Sequence, residues 1–262
     1  MRIKIIHIIN SFLSKGFKSN RALRVYTNVE QLREIMPDLL HGYLSQDEIP
    51  NSLMLLSPPP EINSEAFMLD LEHAKKAIES KDTIRFMQAT NDANLSFPAA
   101  VKSFESTLGI EISEIKTPKL YLLMRRVMTD AGLSTYAAKN HYNRERPFVF
   151  NNSKTCTPDQ EDVLRKVGSF PSGHAAVGWA WMLVFSEIFP NKGELIAKRG
   201  YEFGESRVIC NAHWYSDVEM GRIMGEATVE RLRVNESFQT DLDAVKEEIL
   251  GIIEQKLEDG ID

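Results

Sequence analysis

Between Glu65 and Val234, apolar residues recur at three- and four-residue steps, the spacing that lines them along one side of an α-helix. The pattern predicts helices over Glu65–Ser80, Ile84–Ala93, Ala99–Leu108, Pro118–Lys139, Pro158–Val167, His174–Phe189, Lys192–Cys210 and Asp217–Val234. Leu242–Leu257 reads as a further amphipathic helix. Strand-like alternation is almost absent. Pro58-Pro59-Pro60 is the sharpest break in the pattern and predicts a rigid extended segment ahead of the helical body. The expected fold class is all-α, a single helical-bundle domain, with no repeat, low-complexity tract or clear linker.

The longest apolar run, Ala175 to Phe185, ends at Ser186-Glu187. It falls short of the roughly 18 uninterrupted apolar residues that a membrane span needs, so it reads as a core helix and no transmembrane segment is expected. The Trp179, Trp181 and Phe185 cluster within it is most simply core packing. At 43% hydrophobic and 26% charged residues, the 262-residue chain has the composition of a folded domain with a substantial core. A formal net charge of -6 argues against a nucleic-acid partner and for small phosphorylated ones, since any cationic site must be local.

Three short islands between Lys139 and Asp217 carry the candidate chemistry. Lys139-Asn-His-Tyr-Asn-Arg-Glu-Arg146-Pro147 reads K-x6-R-P. Pro171-Ser172-Gly173-His174 follows, then Ser206-Arg207-Val-Ile-Cys-Asn-Ala-His213-Trp-Tyr-Ser-Asp217, which reads S-R-x5-H-x3-D. Each has an ordinary reading: a solvated basic stretch, a turn ahead of a helix, and a surface helical pair. Together they supply permanent cations, two histidines, a carboxylate and a Ser-Gly turn. Fixed cations and backbone donors around a histidine suit a transferring phosphoryl group, whose charge spreads over its equatorial oxygens. An imidazole with one nitrogen pinned by an acceptor is a competent nucleophile at the other. If His213 and Asp217 share a helix, their spacing puts both on one face. A helix starting near His174 would offer unpaired amides to an anion. No stretch reads G-x-x-x-x-G-K-[ST], so a nucleotide-hydrolysing P-loop is not supported.

The three islands resemble the three-part signature of the type 2 phosphatidic acid phosphatase and vanadium haloperoxidase superfamily. Their flanking words, Ala138 to Phe148, Gly168 to Trp181 and Gly200 to Val218, and the upstream Ser52 to Pro60, are similar to class A bacterial non-specific acid phosphatases. The similarity runs from about Pro37 to near the C-terminus, with no departure at a signature position. The resemblance implies that His213 attacks phosphorus and forms a phosphohistidine, that Asp217 holds His213, and that His174 protonates the leaving alcohol and then activates water. It implies that Lys139, Arg146 and Arg207, with Ser172 and the Gly173 amide, bind the phosphoryl oxygens. It implies no metal and no cofactor, a homodimer, and a periplasmic or secreted location.

A vanadate-dependent haloperoxidase would need the same oxyanion cage, and a non-catalytic phosphate-binding relative would keep the cations; the flanking words favour the phosphatase. Residues 37–262 are the expected catalytic domain. Residues 1–36 are either an N-terminal extension or a degenerate signal segment. Met1 to Leu13 has the basic start and short apolar stretch of a signal peptide, but His7, Asn10 and Ser11 interrupt it and no clear cleavage site follows. Cys156 and Cys210 sit in no metal-ligand pattern; they are either two buried thiols or one disulfide joining the first and third islands. His7, His41, His73 and His141 lie off the signature and are expected to be structural or on the surface.

Overall fold

A computed structural model describes residues 25–259. Among the described residues there are helices and no strand. The longer helices are α1 (Glu65–Glu79), α2 (Ile84–Asp92), α3 (Pro118–Ser134), α4 (Tyr136–Tyr142), α5 (Gly173–Ile188), α6 (Gly193–Ile209), α7 (Tyr215–Leu232) and α8 (Glu236–Glu258). Several begin where the sequence supplies an acceptor for an orphan amide. The side chains of Ser64, Thr83 and Asn235 accept from the amides of Phe67, Phe86 and Phe238. Pro118 opens α3 at a position where a missing amide hydrogen costs nothing.

The apolar run in α5 makes this helix the centre of the bundle, packed chiefly against α6, α7 and α3. Trp181 and Phe185 are fully buried and Trp179 is half-buried. Burying side chains of this size contributes about 1.5–3 kcal/mol each. The Trp181 indole donates to the Met124 carbonyl at 2.9 Å, so its one polar atom is satisfied inside the core. Among the described residues no helix is long and apolar enough to cross a membrane.

Close approach of α7 to α5 depends on two glycines one turn apart. A Cβ at Gly221 would sit 2.4 Å from the Ser172 carbonyl oxygen, and one at Gly225 would sit 2.4 Å from that of Ala176. Neither backbone oxygen can give way, so any larger residue would push α7 off the start of α5.

Four expected helices differ from what is observed. Ala99–Leu108 is two short pieces, Ala99–Lys102 and Glu105–Leu108. Ser103 at the break turns its hydroxyl back to the Ala100 carbonyl, and Phe104 is drawn fully into the core. Pro118–Lys139 divides between α3 and α4 at Thr135, where the Ser134 and Thr135 hydroxyls bond the Ala131 and Gly132 carbonyls. Pro158–Val167 reduces to a 3₁₀ turn, Pro158–Gln160, and one α-turn, Glu161–Leu164. The last helix starts earlier than Leu242, because Asn235 caps it. Pro58 to Pro60 is non-helical, as the prolines require.

Tyr26, Val29 and Leu32, upstream of Pro37, join the main core. The candidate signal segment Met1–Leu13 and His7 lie outside the described residues. Downstream of Pro37, the chain is fastened to α3 by Asp130, which is fully buried and accepts the Tyr43 and Leu44 amides at 2.7 and 3.3 Å. Gly42 passes so close that a Cβ there would overlap the Asp130 carboxylate. Burial outweighs the two amides and pushes the Asp130 carboxyl up to about 7.

A raised folded-state value makes Asp130 favour folding below the unfolded carboxyl range, an advantage lost as pH rises towards the folded value near 7. Asp130→Asn cannot titrate. Wild-type stability relative to Asp130→Asn should therefore fall from acid to neutral pH and then level off. Urea denaturation of both proteins across that range checks this, and a constant difference would contradict it.

Candidate active site

The first island runs from α4 into the turn behind it. Lys139, buried in α4, directs its ammonium at the Gly168 and Ser169 carbonyls at 3.3 and 3.4 Å. Arg146 lies just past the turn and bonds the Leu164 and Ala212 carbonyls, each at 2.9 Å. The second island caps α5. Ser172 is the N-cap residue, its hydroxyl accepting the Ala175 amide at 3.3 Å. Its own amide donates to the Asp217 carbonyl at 2.8 Å, which ties the start of α5 to α7. Gly173 and His174 open α5, where the first amides have no partner within the helix.

The third island spans the end of α6 and the start of α7. His213 is not on a helix: it lies in the turn ahead of α7, and Asp217 sits in the first turn of α7. The pair still meets, because the Asp217 carboxylate reaches back over the helix start. It accepts the Trp214 amide at 2.9 Å and the His213 Nδ1 at 3.3 Å. On the other side of the ring, Arg146 Nη1 donates to His213 Nε2 at 3.0 Å. A guanidinium cannot accept and a carboxylate cannot donate, so the ring carries its proton on Nδ1 and keeps the Nε2 lone pair. His174 is held differently: its Nε2 lies 3.0 Å from the Ala93 carbonyl, which can only accept. Nδ1 is then the atom of His174 free to give or take a proton.

Arg207 in α6 is fully buried, and Nε, Nη1 and Nη2 all lack a hydrogen-bond partner among the described residues. A buried guanidinium with five unmet donors is costly unless an anion occupies the space beside it. Burial, with Arg146 nearby, lowers Arg207 to about 9 against a partial counter-pull from Asp92. Burial also depresses Lys139, helped by Arg146, and depresses His174 and His213, helped by Arg207 and by Arg146 respectively. Both rings are thus held in the neutral form. Among the described residues no three His, Cys, Asp or Glu side chains gather as metal ligands.

Lys139, Arg146, Gly173, His174 and His213 line one cavity of about 160 Å³. Ser172, Arg207 and Asp217 lie fully buried. Cys156 and Cys210 form a disulfide that joins the segment after the first island to the third. Of the remaining histidines, His73 stacks on Tyr215, His141 meets Tyr142 edge-on, and His41 is exposed beside Glu30.

Residues 120–233 match the PAP2 superfamily. A non-specific acid phosphatase of Providencia stuartii is 43% identical over 213 residues, 81% of this chain and 85% of that protein. One of Salmonella typhimurium is 41% identical over the same shares. An acid phosphatase of Zymomonas mobilis is 33% identical over 75% of each chain. The chain belongs to the class A bacterial non-specific acid phosphatases, within the PAP2 superfamily. Among solved structures, a bacterial vanadium-dependent iodoperoxidase is similar at 19% identity and a TM-score of 0.46, over 66% of this chain and 52% of that one.

Two residues of this phosphatase's centre escaped the sequence reading. Arg144 lies inside the K-x6-R-P word and donates to Asp217 Oδ1 at 2.6 Å. Its other amino group meets Asp70 of α1 at 2.7 Å, and Asp70 also accepts the Ser216 amide and hydroxyl. Arg144 could have been suspected as a third cation in that word. Nothing in the sequence around Asp70 marks it, since it reads as one acid on an amphipathic helix.

This line of charges predicts opposite effects on His213. Arg144→Met removes a cation beside Asp217, so the carboxylate holds the imidazolium better and the His213 pKa rises. Asp70→Asn leaves Arg144 less compensated, so Asp217 is better neutralised and the His213 pKa falls further. Arg144→Met should also cost about 3–5 kcal/mol of stability, the usual result of breaking a buried pair. Histidine NMR titration reads the shifts; equal shifts, or none, would mean that the pair only braces the fold.

The depressed histidines and Lys139 predict proton uptake when a dianion binds, because added negative charge raises all three. A site that takes up protons on binding binds more tightly as pH falls. Sulfate suits the test, since its charge stays fixed in the working range. Calorimetry in two buffers of different ionisation enthalpy should show uptake, reduced in His174→Asn.

Proposed function

We propose that this acid phosphatase hydrolyses a broad range of small phosphomonoesters in two in-line displacements, without a metal. In the first, His213 Nε2 attacks phosphorus; the P–N bond forms as the ester P–O bond breaks. The departing oxygen takes a proton from His174 Nδ1. In the second, His174 accepts a proton from water, the resulting hydroxide attacks phosphorus, and the P–N bond breaks to release phosphate and neutral His213. Lys139, Arg146 and Arg207 hold the nonbridging oxygens, with Ser172 and the Gly173 amide beside them, and Asp217 stabilises the His213 ring as it becomes cationic.

The observation that carries this reading is the buried Arg207 guanidinium, without a hydrogen-bond partner among the described residues on any of its nitrogens, in the same centre as a histidine whose Nε2 is unprotonated and faces Arg146. The cations supply the charge neutralisation that a divalent ion would otherwise provide. The neutral state of His174 also fits the role, because the substrate's own charge raises its pKa and protonates it when an acid is needed. We assign the enzyme to an oxidising compartment, periplasmic or secreted, because a structural disulfide persists there. The homodimer implied by the family is part of the same proposal and is open to sedimentation analysis.

Rapid quench with labelled p-nitrophenyl phosphate should trap an acid-labile, base-stable phosphoenzyme, absent in His213→Ala, whose turnover should fall at least about a thousandfold. Excess chelator should leave wild-type turnover unchanged. A phosphoenzyme that persists in His213→Ala, or chelator inactivation reversed by a divalent ion, would overturn the assignment.

A further inference from the structure

The cavity that holds Lys139, Arg146, Gly173, His174 and His213 is otherwise lined mostly by apolar side chains. Leu32, Ile35 and Met36 come from the N-terminal stretch, and Leu95, Met128 and Val177 from the helical body. That stretch is fixed in place. Leu32 is buried in the main core, the Tyr26 ring meets Tyr136 edge-on, and the Tyr26 carbonyl accepts from Asn140 at 2.7 Å. The Thr129 hydroxyl, a polar group in the lining, already donates to the Leu40 carbonyl at 2.7 Å.

We propose that this apolar wall is the subsite for the leaving alcohol, and that it favours phosphomonoesters of compact apolar alcohols and phenols over polyhydroxylated ones. Ile35 and Met36 are its specificity-determining residues. The inference rests on the phosphatase reading and deepens it. A phosphoryl group seated among Lys139, Arg146 and the start of α5 leaves its ester oxygen and the carbon beyond it in the rest of the same cavity. An apolar alcohol gains there by leaving water. A polyol loses water from each hydroxyl and meets few groups able to replace it. Size sets the second limit. An apolar cavity of about 150 Å³ accommodates one benzene-sized guest. The 160 Å³ here is shared with the phosphoryl group, so long or branched alcohols must project out of the cavity.

Ile35 and Met36 are half-buried, so polar replacements there disturb the lining more than the core. Neither belongs to the phosphate-binding set, so basal affinity for inorganic phosphate should stay unchanged when they are replaced. The matched substrates are cyclohexyl phosphate and myo-inositol 1-phosphate, which share a six-membered carbon ring and an alkyl leaving group and differ in hydroxyls. Wild-type kcat/KM should favour the cyclohexyl ester by at least about tenfold. Met36→Gln, close in shape, and Ile35→Asn should each shrink that preference by about threefold or more, with the inhibition constant of inorganic phosphate unaltered. Equal kcat/KM on the two esters would overturn the proposal, as would a preference unchanged in both variants. Failure of wild type on both esters and on p-nitrophenyl phosphate would instead sink the phosphatase reading itself, which separates the two ideas.

Discussion

The structure depends on one electrostatic constraint: a cluster of cations is buried around two histidines with too little negative charge to balance it. Arg207 has no hydrogen-bond partner among the described residues on any guanidinium nitrogen, and burial depresses Lys139, His174 and His213 together. Such a cluster repels itself unless rigid backbone holds it. The packing supplies that rigidity. Lys139 and Arg146 are fastened to the Gly168 carbonyl and to other carbonyls around it, and the Ser172 amide bonds the Asp217 carbonyl. Gly221 lets α7 lie against the Ser172 carbonyl, so the third island cannot drift from the second. Packing free energy gained by the apolar faces of α5, α6 and α7 thus maintains an arrangement of charge that is unfavourable until an anion arrives.

Carboxylates moderate the strain from behind. Asp92 takes the Ser206 hydroxyl at 2.6 Å and also pairs with Arg199, and its charge partly supports Arg207. Asp70 and Asp217 bracket Arg144. Neither set contributes a group to the cavity lining. They adjust the potential there without competing with an oxyanion for the guanidinium of Arg207. This division of labour places negative charge one layer outside the proposed phosphate cage. It also explains why a chain of net charge -6 can present a strongly cationic pocket.

Much of the fold was legible because the bundle is amphipathic, and α1, α2, α5, α6 and α7 fall within a few residues of the spans that the apolar spacing predicts. The breaks at Ser103 and Thr135 were not legible. There a short side chain bonds a carbonyl three residues back, and only packing decides between that bond and a continuing helix. The islands were legible because they combine charged and small residues at fixed spacing. Their geometry was only partly so: His213 and Asp217 meet across a helix start and not along a helix face, since the carboxylate caps the Trp214 amide while it holds the ring. Arg144 and Asp70 were missed because their roles come from tertiary contact across 74 residues of chain. The wall formed by Leu32, Ile35 and Met36 was missed for a similar reason. It lies upstream of the stretch that carries the family words, and an apolar residue gives no sign of whether it faces a core or a substrate.

The same constraint connects the cage to acid operation. Both histidines are held neutral because burial and neighbouring cations oppose a further positive charge. Neutrality suits the nucleophile role proposed for His213, which needs a lone pair, and would disable His174 in the acid role proposed for it. A bound dianion changes the balance for both, but their second nitrogens differ. His213 Nε2 faces Arg146, which discourages protonation of the atom proposed to attack. His174 has Nε2 against the Ala93 carbonyl, an acceptor that raises the ring's pKa against the lowering by burial and Arg207. The two imidazoles differ at Nε2, where a guanidinium faces one and a carbonyl the other, and that difference suits the opposite roles proposed for them.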